Sequence, residues 1–302
     1  MSEYILETTS LTKRFGKKTA VNAVDMHVKA GEIYGFIGRN GAGKTTFLKM
    51  IANLLHKSNG EIQLFGSSDL SLARDKIGVL IENPGLYPAM SAYDNIKMKC
   101  IMLGIKDSDK KINELLELVG LEKVAKKNTK NFSLGMKQRL GLAITLVNDP
   151  ELLLLDEPIN GLDPQGIVEI REILLKLQKR GMTIIISSHI LEELGKIANR
   201  YGVIASGKLI KELTSAQLDE LSKHAIQVEV DDITQSVRVL KKLGIENYDN
   251  EGNIFKIYDL SVNRAKLNSS LVENGVMVSA IFEQNESVED LFVDMMGGAN
   301  YV

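Results

Sequence analysis

The sequence contains one cysteine, Cys100, in 302 residues. An internal disulfide is therefore excluded, as is any zinc site built from several cysteine ligands. Cys100 itself reads as a small buried hydrophobe. No apolar run reaches the ~18 residues that crossing a bilayer requires, so no transmembrane helix is expected. Met1-Ser2-Glu3-Tyr4 lacks the basic stretch followed by apolar residues that marks a secretory signal. An excess of charge is missing too: 37 Lys and Arg stand against 39 Asp and Glu, a net −2. Proteins that work chiefly on nucleic acid carry a basic excess, so no nucleic-acid partner is expected. These absences point to a reduced, cytosolic compartment.

What is present describes a folded protein. The hydrophobic fraction of 44% and charged fraction of 25% are ordinary for globular chains and argue against disorder or coiled coil. The length suggests two domains, or one with an appendage. Ile33-Tyr34-Gly35-Phe36-Ile37 has the continuous apolar character of a buried strand, followed by glycines and a helical pattern from Thr45 to Leu55. Leu152 to Leu155 and Thr183 to Ile186 are further short buried runs, with Ile167, Ile170, Leu174 and Leu177 at helical spacing between them. Strands alternating with helices predict a parallel sheet with crossover connections. Val203-Ile204-Ala205, Ser206-Gly207 and Lys208-Leu209-Ile210 read as a closing hairpin.

Two stretches differ in character. Residues of about 86–148 read as a helical insert, one helix marked by Ile112, Leu115, Leu116 and Val119 and another from about Leu134 to Val147. Lys123, Lys126, Lys127 and Lys130 within it read as a solvated face. After Leu213 a small α+β unit begins. Ile226, Val228 and Val230 alternate with Gln227 and Glu229, the period of a half-buried strand. A helix (Thr234–Leu243), a strand (Ile254–Tyr258), a helix (Asn263–Asn274) and a strand (Val276–Gln284) are expected to follow. Gly275 suits the position just past its helix, and Ser287 with Asp290 resembles a capping box opening a last helix.

The chemistry lies in the first 215 residues. Gly38-Arg39-Asn40-Gly41-Ala42-Gly43-Lys44-Thr45, with Thr46 behind it, fits G-x-x-x-x-G-K-[ST]. Its glycines let backbone N–H groups wrap a phosphate chain, and the helix that follows adds its positive N-terminal end. Lys44 would neutralise the β- and γ-phosphates, and the Thr45 hydroxyl would coordinate Mg²⁺. Leu152-Leu153-Leu154-Leu155-Asp156-Glu157 supplies two acids at the end of a strand. Successive side chains there point apart, so Asp156 can face the metal while Glu157 faces the attacking water.

Asn131-Phe132-Ser133-Leu134-Gly135-Met136-Lys137-Gln138-Arg139 precedes that strand and matches the Leu-Ser-Gly-Gly-Gln signature of one family at Ser133 and Gly135. With it, the chain resembles the ATPase subunits of ABC transporters from about residue 3 to 215. The resemblance implies an α/β fold, a P-loop ATPase core of ABC type over about 1–215 with the helical insert, and a small C-terminal α+β accessory domain over 216–302. It implies that Phe15 stacks on adenine, that Asn160-Gly161-Leu162-Asp163 links two ATP sites, and that His189 contacts the γ-phosphate. ATP would then be held by the loop and Thr46 of one subunit and by Ser133 and Gly135 of another. The dimer, or a pair of such subunits, would drive an integral membrane permease from the cytoplasmic face of the cell membrane.

One departure is informative. Where the family usually has glutamine, Val79-Leu80-Ile81-Glu82-Asn83-Pro84-Gly85 offers Glu82. With Phe-Ser-Leu-Gly-Met at the signature, this resembles exporters that confer bacitracin and lantibiotic resistance, and implies a nucleotide and Mg²⁺ contact for Glu82. Alternatives are an exporter of lipid, ion or polysaccharide, or a non-transport ATPase of the superfamily. A translation ATPase would carry two such cores, and a chromosome-organising one a long coiled coil between Lys44 and Ser133.

Overall fold

Every residue of Ile33-Tyr34-Gly35-Phe36-Ile37 is buried, as expected of a parallel strand covered on both faces. The computed structural model describes residues 4–221, 224–259, 261–285 and 292. Two compact units are present, one over Met1–Ser215 and one from Ala216.

The first unit opens with β1 (Tyr4–Phe15) and β2 (Lys18–Lys29), which pair antiparallel, then β3 (Ile33–Ile37), helix α1 (Lys44–Ile51) and β4 (Asn59–Leu64). A one-turn helix α2 (Leu70–Ala73) leads to β5 (Ile77–Leu80). Three helices follow: α3 (Ala92–Met102), α4 (Asp109–Leu118) and α5 (Leu134–Thr145). Then come β6 (Leu152–Asp156), α6 (Pro164–Lys179), β7 (Thr183–Ser188), α7 (Leu191–Gly195), β8 (Arg200–Ala205) and β9 (Lys208–Thr214). A 6-stranded sheet has the order β5-β6-β7-β3-β8-β9, parallel except for the β8–β9 hairpin, and a 3-stranded sheet has the order β2-β1-β4.

The two sheets share one core. Phe36 of β3, Phe47 and Leu48 of α1, Leu154 of β6 and Ile185 of β7 pack with Leu6, Leu11 and Val21 of the antiparallel sheet. Phe36 and Phe47 meet with ring centroids 5.2 Å apart. Burying each such side chain contributes roughly 1.5–3 kcal/mol. The register sets Ile37 beside Ser188 and Asp156 beside Ser187, so the carboxyl ends of β3, β6 and β7 lie at one edge. Ligands bind at such edges in open α/β sheets.

Helix α1 stops at Ile51, short of the expected Leu55. Asn53 adopts φ 59, and the N–H groups of Leu54 and Leu55 both donate to the Lys49 carbonyl, a left-handed helix end that asparagine tolerates. The insert holds α3 in addition to the two helices the spacing shows. Its apolar stripe is interrupted by Asn95, which is buried and bonded to Tyr87 and Ser91. Cys100 is buried, and Lys123, Lys126, Lys127 and Lys130 are exposed.

At the β2–β3 turn, Glu32 accepts a hydrogen bond from the Lys29 N–H at 2.8 Å. Burial nevertheless pushes its carboxyl above the usual range, the Lys29 bond opposing. Tyr34 is fully buried, and its hydroxyl donates to Glu212 at 2.8 Å. Burial, then the Glu212 charge, drives that phenol well above its ordinary value.

The second unit comprises α8 (Ser215–Leu221), β10 (His224–Val230), α9 (Ile233–Lys242), β11 (Tyr248–Glu251), β12 (Ile254–Ile257), α10 (Arg264–Glu273) and β13 (Val278–Asn285). From β10 onward this is a β-α-β-β-α-β unit, with antiparallel strands in the order β11-β12-β10-β13. Ile226, Val228, Phe255 and Ile257 form its core with Val239, Leu240, Leu267 and Leu271. Gly275, at φ 82, follows the Asn274 cap of α10. The sequence pattern did not show β11, whose Asp249, Asn250 and Glu251 are exposed on an edge strand. Ser287 and Asp290 lie outside the described residues.

Candidate functional site

The loop between β3 and α1 is shaped by close approach. A Cβ on Gly38 would stand 2.4 Å from the Ile204 carbonyl oxygen, and one on Gly43 would stand 2.6 Å from that of Ala20. Gly43 also adopts φ 114, which side chains strongly disfavour. The loop, with Phe15, Lys18, Ala20, Thr46 and Glu157, lines a pocket of about 310 Å³. Phe15 is half exposed on its wall, with Lys13 Nζ 5.0 Å from the ring centroid. Lys44 is buried and folds over the loop, donating to the Gly38 carbonyl at 2.5 Å.

The two acids diverge from the end of β6. Asp156 Oδ2 accepts from the Thr45 hydroxyl at 2.6 Å, and Asp156 Oδ1 accepts from the Ser187 hydroxyl at 2.5 Å. Glu157 turns the other way. Its Oε1 lies 3.2 Å from Lys44 Nζ, and its Oε2 lies 2.8 Å from His189 Nδ1. Glu157 Oε1 is buried without a hydrogen-bond partner in proper geometry, so the Lys44 contact is ionic. Glu157 has φ 49, a conformation costing about 1 kcal/mol or more. Its N–H is shared between the Ser187 carbonyl at 3.0 Å and Oγ at 3.1 Å.

Lys44, Thr45, Asp156, Glu157 and His189 are thus brought together, with Phe15 and the loop residues Arg39, Asn40, Gly41, Gly43 and Thr46 around the pocket. Gly38 and Ala42 belong to the same turn, Ala42 N–H donating to Arg39 O at 3.1 Å. Ser133, Gly135 and Asp163 form a second group and do not line the pocket. Ser133 caps α5, accepting from Met136 N–H at 3.2 Å, and Asp163 caps α6, accepting from Gly166 N–H at 3.1 Å. A Cβ on Gly135 would touch Leu162 at 3.8 Å, so the two helix starts adjoin. Glu82 also stands off the pocket, at φ 63, 65% exposed and bonded to Lys49 Nζ at 2.6 Å.

Ser187 is the residue that the sequence reading missed. It is fully buried and touches both acids. The signal was the polar pair Ser187-Ser188 ending an apolar strand. Asp156 and the Thr45 hydroxyl offer two hard oxygens, which suits Mg²⁺, an ion that takes few protein ligands and completes its shell with phosphate and water. Among the described residues no group of three or more His, Cys, Asp or Glu could cage a metal.

A parallel sheet that delivers a glycine loop, a buried lysine and two carboxylates to one edge defines a phosphate-loop nucleotide-binding core. The family described as ABC transporter matches residues 21–160. The bacitracin transport ATP-binding protein BcrA of Enterococcus faecalis is 39% identical over 98% of this chain and 97% of its own. The lantibiotic transport ATP-binding protein SrtF of Streptococcus pyogenes is 47% identical over 74% of this chain and 99% of its own. Among solved structures, the dimeric post-hydrolysis state of the ATP-binding cassette MJ0796 bound to ADP and Pi superposes with TM-score 0.62. It is 25% identical and covers 70% of this chain and 98% of that one. The chain belongs to the ATP-binding subunits of ABC transporters, and the reaction it catalyses is ATP hydrolysis. The α/β ATPase fold expected from the sequence is the one found.

Proposed function

We propose that the pocket lined by Phe15, the 38–45 loop and Glu157 binds ATP with Mg²⁺, and that two copies close on two nucleotides to drive export of an antimicrobial peptide. The observation that carries the site reading is the Lys44–Glu157–His189 chain beside the Thr45–Asp156 pair. Phe15 offers a ring face to adenine, and the loop N–H groups with Lys44 meet the phosphates. Thr45 and Asp156 would hold the metal, which would supply positive charge against the phosphates. Glu157 orients the attacking water and accepts its proton, with His189 holding the carboxylate and facing the γ-phosphate. Ser133 and Gly135, which do not line the pocket of their own chain, serve the pocket of the second copy, and Asp163 links the two sites. The dimeric, ADP- and Pi-bound state of MJ0796 supports that pairing.

The chain would work at the cytoplasmic face of the membrane, docked on an integral permease; among the described residues no helix is long and apolar enough to cross a membrane. Bacitracin- and lantibiotic-transport relatives at 39% and 47% identity support a peptide cargo. Residues 1–215 form the nucleotide-binding domain and 216–302 an accessory domain for regulation or permease docking. SrtF, aligned over 99% of its length to 74% of this chain, supports that division. The test is bacterial cells making this chain with its permease, challenged with bacitracin and with a lantibiotic. Resistance that disappears with Glu157→Gln is expected. Equal sensitivity with and without the transporter, for both peptides, would overturn the cargo assignment and leave the ATPase.

A further inference from the structure

The chain leaves Glu157 and His189 by different routes, and both routes end in one junction. Glu157 is followed by Pro158 and Ile159, and His189 by Ile190 and helix α7. Pro158, Ile159, Ile186 of β7 and Leu194 of α7 line one small void, together with Arg171 of α6 and Glu193 of α7. There Arg171 Nη1 donates to Glu193 Oε2 at 3.0 Å. The two side chains are only 24% and 18% exposed, so salt screens this pair less than one on the open surface. Helix α7 has 5 residues, a single turn that is not stable on its own. Helix α6 has 16, with Ile170, Ile173, Leu174 and Leu177 buried, and is the better anchored of the two.

We propose that Arg171 and Glu193 are positioning residues for His189: by tying α7 to α6, their ion pair sets the place of the loop from which His189 meets Glu157. This role rests on the catalytic reading of Glu157 and His189. Among the described residues the His189 ring has one hydrogen-bond partner, Glu157 Oε2 at 2.8 Å. Its side chain is 36% exposed, so its own contacts do little to fix it. The loop does that. Ser188 ends β7 on one side, its hydroxyl accepting from the Ile190 N–H at 2.9 Å, and α7 begins on the other. Lys196 also meets Glu193, at 2.7 Å, but it stands at the end of the same short helix, so that bond adds no tie to α6.

Steady-state ATP hydrolysis by the whole chain gives the first measurement. Arg171→Met and Glu193→Gln should each lower kcat about tenfold, within the ~100-fold that a misplacement of about 1 Å can cost. KM for MgATP should stay near the parent value, since the phosphate loop and Lys44 are untouched. Arg171→Lys keeps the charge and should restore most of kcat, while Lys196→Met should hydrolyse at the parent rate. Parent kcat in Arg171→Met or in Glu193→Gln, or a loss with Lys196→Met as large as theirs, overturns the proposal.

The second measurement repeats Arg171→Met in the His189→Ala background. There it should lower kcat no further, because its effect passes through the missing ring. The urea midpoint, by contrast, should fall by the same amount in both backgrounds, since the ion pair contributes to folding with or without the ring. The same loss of kcat on top of His189→Ala means that Arg171 acts on the fold at large, and overturns the proposal. Loss of turnover with His189→Ala but not with Arg171→Met overturns it too, and leaves the catalytic reading standing. His189→Ala turning over at the parent rate overturns that reading itself, and the positioning role with it.

Discussion

His189 Nδ1 stands 2.8 Å from Glu157 Oε2, while the other oxygen of that carboxylate faces Lys44 Nζ at 3.2 Å. Glu157 is thereby held from both sides at the end of β6. His189→Ala removes one side, leaving the carboxylate free to rotate toward Lys44. Turnover should fall by about 100-fold, the lower range for a positioned acid or base. MgATP affinity should change little, because the loop and Lys44 remain. Steady-state ATPase assays beside fluorescent ATP-analogue titration check this; unchanged turnover would place the water-orienting function elsewhere.

Ser187 donates to Asp156 Oδ1 at 2.5 Å and receives the Glu157 N–H. Ser187→Ala leaves Asp156 without the donor that fixes its orientation toward Thr45. Loss of such a supporting bond weakens metal binding by about 10–100-fold. The half-saturating Mg²⁺ concentration should rise accordingly, while ATP binding without a divalent ion stays near the parent value. Equal loss with and without Mg²⁺ would mean that the loop itself had been disturbed.

Glu32 carries a pH dependence whose sign follows from its environment. Burial raises its carboxyl above the ordinary 4.5, so the folded chain holds that proton more tightly than the unfolded one. The resulting stability is present below the unfolded value and lost as pH rises through the folded one. Glu32→Gln keeps an oxygen for the Lys29 N–H and abolishes the charge. The variant should therefore gain on the parent at pH 7, by an amount that shrinks toward pH 4. Urea midpoints at the two pH values measure it; an offset independent of pH would contradict the assignment to burial.

All the residues assigned to nucleotide chemistry precede β10, and the second unit has its own core of Ile226, Val228, Phe255, Leu267 and Leu271. A fragment ending at Thr214 should fold and bind MgATP with near-parent affinity. Circular dichroism and nucleotide titration decide the matter. A folded fragment that does not bind would tie the second unit to the site.

Continuous apolar runs made β3, β6 and β7 legible, because strands buried on both faces carry few polar positions to confuse the pattern. The glycine loop, Asp156 and Glu157 were equally legible, since phosphate and metal chemistry dictates their types and spacing. β1, β2 and β4 were not, their one-sided burial being broken by bulges such as that between Thr8 and Leu11. Asn95 hid α3 by filling a core position with an amide. Ser187 was hidden for a different reason. Its part depends on neighbouring strands bringing it beside Asp156, which no local pattern encodes. Glu82 was singled out as a departure, yet its partner Lys49, 33 residues away along the chain, became visible only in three dimensions.

The most direct measurement is size-exclusion chromatography with light scattering on the Glu157→Gln variant, with and without MgATP. The amide cannot accept the proton from water, so hydrolysis should stop with ATP still bound, and the protein should elute as a dimer holding two nucleotides only when MgATP is present. The parent should return to the monomer as it turns over. A Glu157→Gln protein that hydrolyses ATP at the parent rate, or that binds ATP and remains monomeric at all concentrations, would contradict the account.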